Sequence, residues 1–479
     1  MFIPNQPPTY LHLRGLAPLL VLALVLCAGC ADDAVAPGDT SMGDHLAALG
    51  VAAEDLEGAD MNALEASIDF EAVAEVARVS ESDAEPAAVR GRPVQLVRPG
   101  DSIQDAIDAA PAGGIVLIRR GTYEIEESIT ITKSLRLVGL GGPGAVVIAE
   151  KSGLTERPRN GIFVGSQTSA PVQDVSVVNV TVRGFTGNGI LMVNADGFLL
   201  HRVITDQLGG PDPEQDGGAY GLFPVRSRNG LITHCTATRA DDSGIYVGQS
   251  VNVAVVHNEA YGNVIGLEAE NVKQTVWAHN RAYDNAAGML AILLPIDPTD
   301  EYPIVETFAE QLYVAHNRFT DNNGPNFAPG GLAGSVPSGT GLLVFGYDDS
   351  VITRNRVSGN EFVGIGLASA VTLLAAAGRF EDLPLLATTI PQGPHPDNVR
   401  ITRNRVTDNG SGEPLEVGLP DGSTIAVPAA DLIWDKPIID LLGMDPGFPF
   451  GDYGEGNCWE GNTYESSFPD TLPSCNGGV

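Results

Sequence analysis

A chain of 479 residues with 57 glycines, 43% hydrophobic residues and only 6% aromatics suits short turns and small or β-branched core positions, not long helices. Its formal net charge of −33 excludes nucleic acid and anionic membrane surfaces as general partners, because both would be repelled. The charge is uneven: from Ala31 to Glu85 fifteen acids face the single base Arg78, a net 14 of the 33.

The N-terminus carries His12 and Arg14 and then "LAPLLVLALVLCAGC". This apolar run is too short for a mature membrane-spanning helix and reads as the core of a signal peptide covering residues 1–30. Its ending resembles a bacterial lipobox, with Ala28 and Gly29 before Cys30, although Cys27 stands where that motif usually has Leu. The resemblance implies lipid modification at Cys30 and an exported protein anchored to the cell envelope, in the periplasm or at the outer membrane. Residues 31–92 follow as an acidic tether, expected to be mostly flexible, with one marginal helix where Leu64, Ile68, Val73 and Val76 share a face.

From residue 93 onward the chain reads as strands. "DSIQDAIDAA" is a short amphipathic helix, capped by Asp101 or Ser102 and placed to close the first coil of a solenoid. A repeat then emerges in "HNEAYGN" at 257, "HNRAYDN" at 279, "HNRFTDN" at 316, "RNRVSGN" at 354 and "RNRVTDN" at 403. Each holds two asparagines five residues apart, and Gly–aliphatic pairs such as Gly244–Ile245, Gly266–Leu267 and Gly288–Met289 recur 22 residues apart. Alternating apolar positions split by Asn/Gly corners give three short strands per repeat, which is one coil of a right-handed parallel β-helix. Asparagines at one corner would then stack from coil to coil. Longer intervals are the same unit with insertions near 295–310, 325–340, 367–397 and 411–456. In the oxidising environment that export implies, Cys458 and Cys475 are the natural disulfide pair, closing a C-terminal cap and contributing about 3 kcal/mol. Cys235 falls on a core rung and is expected to be a buried thiol.

The stretch "VQLVRPGDSIQDAIDAAPAGGIVLIRRGTYEIEESITITKSLRLVGLG" resembles the opening of pectate-lyase-like β-helix proteins. "GAYGLFPVRS" through "DDSGIYVGQSVNVAVVHNEAYGNVIGLEAEN" to "DLIWDK" and "GNCWEGNTYESSFP" is similar to a family of exported bacterial parallel β-helix lipoproteins with no assigned reaction. The resemblance covers roughly residues 94 to 479 and implies architecture more than chemistry. Two β-helix enzyme motifs are departed from. Where mannuronan epimerases carry D-P-H-D-R-S, this chain is similar in "GLFPVRS" but has Phe223, Val225 and Arg226, with Gln249 in place of an Arg in the next coil. Polygalacturonases pair aspartates with G-H-G and R-I-K; Asp241 and Asp242 are present here but neither later motif is.

Several residues remain unexplained by the repeat. Glu268 and Glu270 stand i, i+2 on one strand, facing outward between the inward Leu267 and Ala269, about 7 Å apart along the backbone. That spacing suits an acid and base pair, and equally a solvated strand face. The same outward column holds Phe223 and Val225, Tyr246 and Gly248, Leu290 and Ile292, and Leu343 and Phe345, an apolar stripe that the insertions are expected to cover. His201, His234, His257, His279 and His316 form a second column, continued by Arg354 and Arg403. It reads as a stacked ladder, a transition-metal site, or a basic track for an acidic glycan. Lys273 and Arg281 are conceivable bases near the glutamates. Asp212, Glu214 and Asp216 alternate before a glycine as in half of a calcium loop.

The expected function is recognition of an extended polymer, a glycan or alternatively a partner protein of the cell envelope, with Phe223, Tyr246, Gln249, His257, His279 and Lys273 on the binding face and no nucleic-acid partner. A lyase, hydrolase or epimerase-like enzyme using Glu268 and Glu270, and a periplasmic metal-handling protein, are the alternatives. Ca²⁺ or a transition metal are the candidate cofactors.

Overall fold

From His257 onward, the turn between two strands of the coil holds a non-glycine residue with positive φ followed by an asparagine, and this corner sets the architecture. His257, His279, His316, Arg354 and Arg403 have φ of 59°, 58°, 59°, 55° and 55°. This left-handed conformation reverses the chain direction within two residues, at a cost of about 1 kcal/mol for a residue with a Cβ. The asparagine that follows repays it. In the computed structural model the Asn258 N–H donates to Asn280 Oδ1 at 2.9 Å, and the same bond joins Asn280 to Asn317, Asn317 to Asn355, and Asn355 to Asn404. Each Nδ2 donates back to the preceding coil, as Asn280 does to the Val255 carbonyl at 2.8 Å. A second ladder runs through Asn263, Asn285, Asn322, Asn360 and Asn409 at the next corner and ends on Asp431.

The structure describes residues 42–80, 88–89, 91–165, 170–212, 217–295, 309–390, 392–418, 423–442 and 453–475. Among them, strands stack into three long sheets of thirteen, ten and eleven strands, parallel apart from one antiparallel pair at the N-terminal edge of the first. In one coil the chain passes through Ile265–Glu270 of the eleven-stranded sheet, Lys273–Ala278 of the thirteen-stranded sheet and Arg281–Tyr283 of the ten-stranded sheet. Register is kept throughout: Ile245, Leu267, Met289, Leu342, Ile365 and Leu432 lie directly above one another. These inward residues, with Val255, Trp277 and Val314, form a continuous buried core.

The expected caps are present. Helix Ile103–Ala109 starts at Ser102, whose hydroxyl accepts from the Asp105 N–H, and it puts Ile103 and Ile107 into the core. Cys458 and Cys475 form the disulfide, and Cys235 is buried, its thiol pushed up to about 12 by burial.

The acidic tether requires a correction. Residues 42–80 are not a mostly flexible spacer with one marginal helix. They form helices Met42–Ala48, Met61–Ser67 and Phe70–Ser80 with a 3-10 turn at Ala53–Leu56. Leu46, Leu49, Leu56, Leu64, Phe70, Val73 and Val76 pack on the outward face of the thirteen-stranded sheet, against Leu117, Leu199, Leu231, Ala254 and Val276. Polar clasps fix the position: the Asp60 N–H donates to Asn252 Oδ1 at 2.8 Å, and Asp69 meets Arg92 at 2.5 Å and the fully buried Arg136 at 3.4 Å. The physical reason is the sheet beneath. Strands such as "VNVAVV" are apolar on both faces, and an uncovered outer face of that size would be unstable in water.

Two outcomes are expected. Asn317→Ala, which removes one acceptor and two donors from the ladder, should cost about 2–4 kcal/mol, read as a lower urea midpoint. Val73→Asp should free the N-terminal segment, so that limited proteolysis cuts within residues 42–80 while the solenoid persists.

Candidate functional site

The eleven-stranded sheet carries the outward column of aromatics and acids. Leu267 and Ala269 point into the core, so Glu268 and Glu270 share the outer face as their alternation requires. Glu268 sits in register between Tyr246 and Leu290, and Glu270 between Gly248 and Ile292. The face is not solvated. Glu268 is 5% exposed, and Tyr246, Leu290, Ile292, Leu343 and Phe345 are buried. The apolar part of the column lies beneath two insertions, the 325–340 arm with Ala333 and Val336, and the 367–397 segment with Leu373 and Ala375. Of the 295–310 insertion, residues 296–308 lie outside the described residues.

Where the cover ends, polar groups converge. The Tyr220 hydroxyl donates to Asp242 Oδ2 at 3.0 Å. Ser243 Oγ lies 3.2 Å from Asp242 Oδ1 and in short contact with Glu268 Oε2. A serine hydroxyl has one proton and cannot donate to both carboxylates; one of the two must itself be protonated and donate to the serine. Glu268 is that group, because burial first, then the charges of Asp242 and Glu270, raise it well above the usual carboxylate range. Asp242 is also raised, by burial, to about 6. The result is a hydrogen-bonded chain linking Glu268, Ser243 and Asp242, with Tyr220 donating to Asp242 from the other side.

Glu270 is also raised, chiefly by burial, and is held by Tyr246 and Gln249. A Cβ on Gly248 would lie 2.4 Å from the Tyr246 ring, so only glycine lets that ring fold across the strand and put its hydroxyl on Glu270 of the next coil. Gln249 Oε1 in turn accepts from Arg226 Nε at 2.8 Å. The half-buried Phe223 packs between Tyr220 and Tyr246 at centroid distances of 4.4 and 4.6 Å.

Asp242 also reaches a groove of about 730 Å³, where Asp241, Asp242 and the exposed Asp212 face Pro325, Phe327 and Pro329 of the 325–340 arm. Of the calcium-loop residues, Glu214 and Asp216 lie outside the described residues, as does Cys30. Lys273 is not an open base, since its Nζ is ion-paired with Glu310. Arg281 is 3.2 Å from Glu259.

The histidines do stack, at centroid distances of 5.2, 4.9 and 4.8 Å from His234 through His257 and His279 to His316. His201 differs: Arg202 takes the positive-φ corner, leaving His201 buried and edge-on to His234. His257 and His279 are not an open binding face, because Asp55 of the N-terminal segment spans them, Oδ2 to His257 Nε2 at 2.7 Å and Oδ1 to His279 Nε2 at 3.0 Å. Among the described residues no group of three or more His, Cys, Asp or Glu side chains converges as metal ligands do. Ser243 and Tyr220 were missed by sequence reasoning. Their signal was available, because both stand in one register row of the same sheet, Tyr220 beside Ser243.

Residues 158–293 match the family model described as "Right handed beta helix region". The solenoid is a right-handed parallel β-helix. No curated protein sequence matches the chain. Among solved structures, the A-module of mannuronan C-5 epimerase AlgE4 from Azotobacter vinelandii is similar at 17% identity and a TM-score of 0.46, over 78% of this chain and 94% of that one. DFA-IIIase from Arthrobacter chlorophenolicus A6 is similar at 13% identity and a TM-score of 0.41, covering 73% of this chain and 77% of that one. PfbA, a surface adhesin of Streptococcus pneumoniae, is similar at 13% identity and a TM-score of 0.38, over 79% and 92%. The fold rests on the strand register above and not on these pairings.

The acid cluster has a measurable signature. Asp242 rises from 3.8 to about 6, so the folded protein holds this proton more tightly than the unfolded chain does. Stability contributed by this group is present at low pH and is lost as pH rises from about 4 through 6. Asp242→Asn should flatten that part of the pH–stability curve relative to wild type and leave the variant at least as stable at pH 8 in urea titrations.

Proposed function

We propose that this protein recognises a neutral polysaccharide in the groove between Asp242 and Phe327, and that it does so outside the cell, held to the envelope by lipid on Cys30. The observation that carries the groove reading is the placement of Asp242. It is a carboxyl group, held by Tyr220 and Ser243, in a groove also lined by Phe327 and prolines. Carboxylates accept hydrogen bonds from sugar hydroxyls, and flat apolar side chains stack on pyranose faces. Three aspartates in one groove repel an acidic polymer, which leaves an uncharged one. The apolar run before "CAGC" supports export and anchoring.

The Glu268–Ser243–Asp242 relay favours a second reading, general acid–base catalysis on that same glycan. Asp242 would be the group touching substrate, and Glu268, shielded beneath the cover, would act through it as a positioning and proton-storing residue.

Calorimetry against gluco-, xylo- and manno-oligosaccharides tests the binding reading: Asp242→Asn and Phe327→Ala should each weaken binding at least tenfold. Retention of wild-type affinity by both variants would move the site elsewhere. If product also forms, activity in the base role should rise through pH 6 and vanish in Asp242→Asn, while Glu268→Gln should shift the pH profile. Cys30→Ser should move the protein from the detergent phase to the aqueous phase in a phase-partitioning assay; unchanged partitioning would remove the anchor.

A further inference from the structure

On an acidic protein, one corner of the coil is cationic. The corner column runs His257, His279, His316, Arg354, Arg403. Two residues further along each coil, Arg281, Arg318, Arg356 and Arg405 stand in direct register on successive strands of the ten-stranded sheet. Between the two columns lies a groove of about 320 Å³, lined by His279, His316, Arg318, Arg354 and Arg356 among others. His316 and all four of Arg318, Arg354, Arg356 and Arg405 are exposed. Among the described residues these four arginines have no ion pair, in contrast to Arg281 on Glu259.

The chain itself shows what this groove accepts. At its N-terminal end the Asp55 carboxylate bridges His257 and His279, one oxygen to each ring, so a single carboxylate spans one coil step. Coils repeat about every 4.8 Å, and each further step offers another pair of basic side chains to a carboxylate, guanidinium groups from Arg354 on. The stripe is also narrow. Asp284, Asp321 and Asp408 follow the short strands three residues beyond Arg281, Arg318 and Arg405, with Gly359 at that place in the Arg356 coil, and Glu57 is hydrogen-bonded to the Tyr313 hydroxyl three residues before His316. A duplex or a bilayer surface would bring its charge against those acids, whereas one extended chain would not.

We propose that this corner is a binding track for a single linear polysaccharide carrying carboxylates along its length, entering beside Asp55 and running over His316, Arg354 and Arg403 with Arg318, Arg356 and Arg405 on its flank. It is a different corner of the coil from the Asp242 groove and takes a ligand of opposite charge character.

Calorimetry of the full chain with polygalacturonate at low ionic strength tests this. Binding is expected, at least tenfold weaker in the exposed-residue double variant Arg318→Ala/Arg356→Ala and in Arg354→Glu, weakened by added salt, and not competed by uncharged dextran. Circular dichroism identical to wild type confirms that the variants are folded. Absence of polygalacturonate binding, or equal binding by both variants, overturns the proposal. Tighter binding of single-stranded DNA through the same arginines also overturns it, by assigning the track to a different polymer.

Discussion

The corner of positive-φ residue plus asparagine is the constraint from which the rest follows. A parallel solenoid of three strands per coil must turn its chain three times per coil without leaving backbone groups unpaired, and a turn that differed between coils would throw the strands out of register. An asparagine side chain is an amide like the backbone, so it supplies one acceptor to its neighbour's N–H and one donor to the preceding coil's carbonyl. Stacked, these amides hold the coils from Asn258 to Asn404 in the same phase. Chemistry at any position is thereby repeated at one coil spacing: histidines over histidines, arginines over arginines, and outward acids over aromatics.

Phase-locking has a cost that the covering segments meet. Because each strand repeats its predecessor, an apolar outward residue becomes an apolar stripe. The thirteen-stranded sheet has such a stripe at Leu199, Leu231, Ala254 and Val276, and the eleven-stranded sheet has one at Leu290, Leu343 and Phe345. The first is covered by the N-terminal helices and the second by the insertions. Glu268 belongs to the second stripe and is buried with it, at the margin of the cover. Its raised proton affinity is therefore a consequence of where the insertions stop, and Ser243 passes that consequence outward to Asp242.

The repeating half of this molecule was legible because periodicity is a local property. The spacing of Asn258 and Asn263, the inward Leu267 and Ala269, and the pairing of Cys458 with Cys475 could all be read from the chain. The covering half was not, for a physical reason. Composition judged residues 31–92 by their acids and missed that Leu46, Leu64 and Val73 had a ready-made apolar partner in strands spread from Leu117 to Val276. The cue lay in the partner: "VNVAVV" is too apolar to have one face in water. The relay was illegible for the same reason, since Asp242, Ser243 and Glu268 meet only when two coils are stacked. Asp55 shows how far this reaches, because its carboxylate lies among the acids taken as a tether and yet spans His257 and His279.

That contact also explains the gradient along the histidine column. His201 is buried, His234, His257 and His279 are half-buried, and His316 and Arg354 are exposed. From His234 onward, imidazole gives way to guanidinium at Arg354, where the cover has ended. Desolvation lowers His201 to about 3 and His234 to about 4, so these rings are neutral and can stack without mutual repulsion. A guanidinium in their places would have to be buried charged, which is far more costly. Beyond the reach of the N-terminal segment that penalty disappears, and a permanent charge can stand at the same corner. The covering segment thus packs on His234, His257 and His279 and leaves Arg354 and Arg403 facing water, while Arg202, at the far end of the same column, is half-buried.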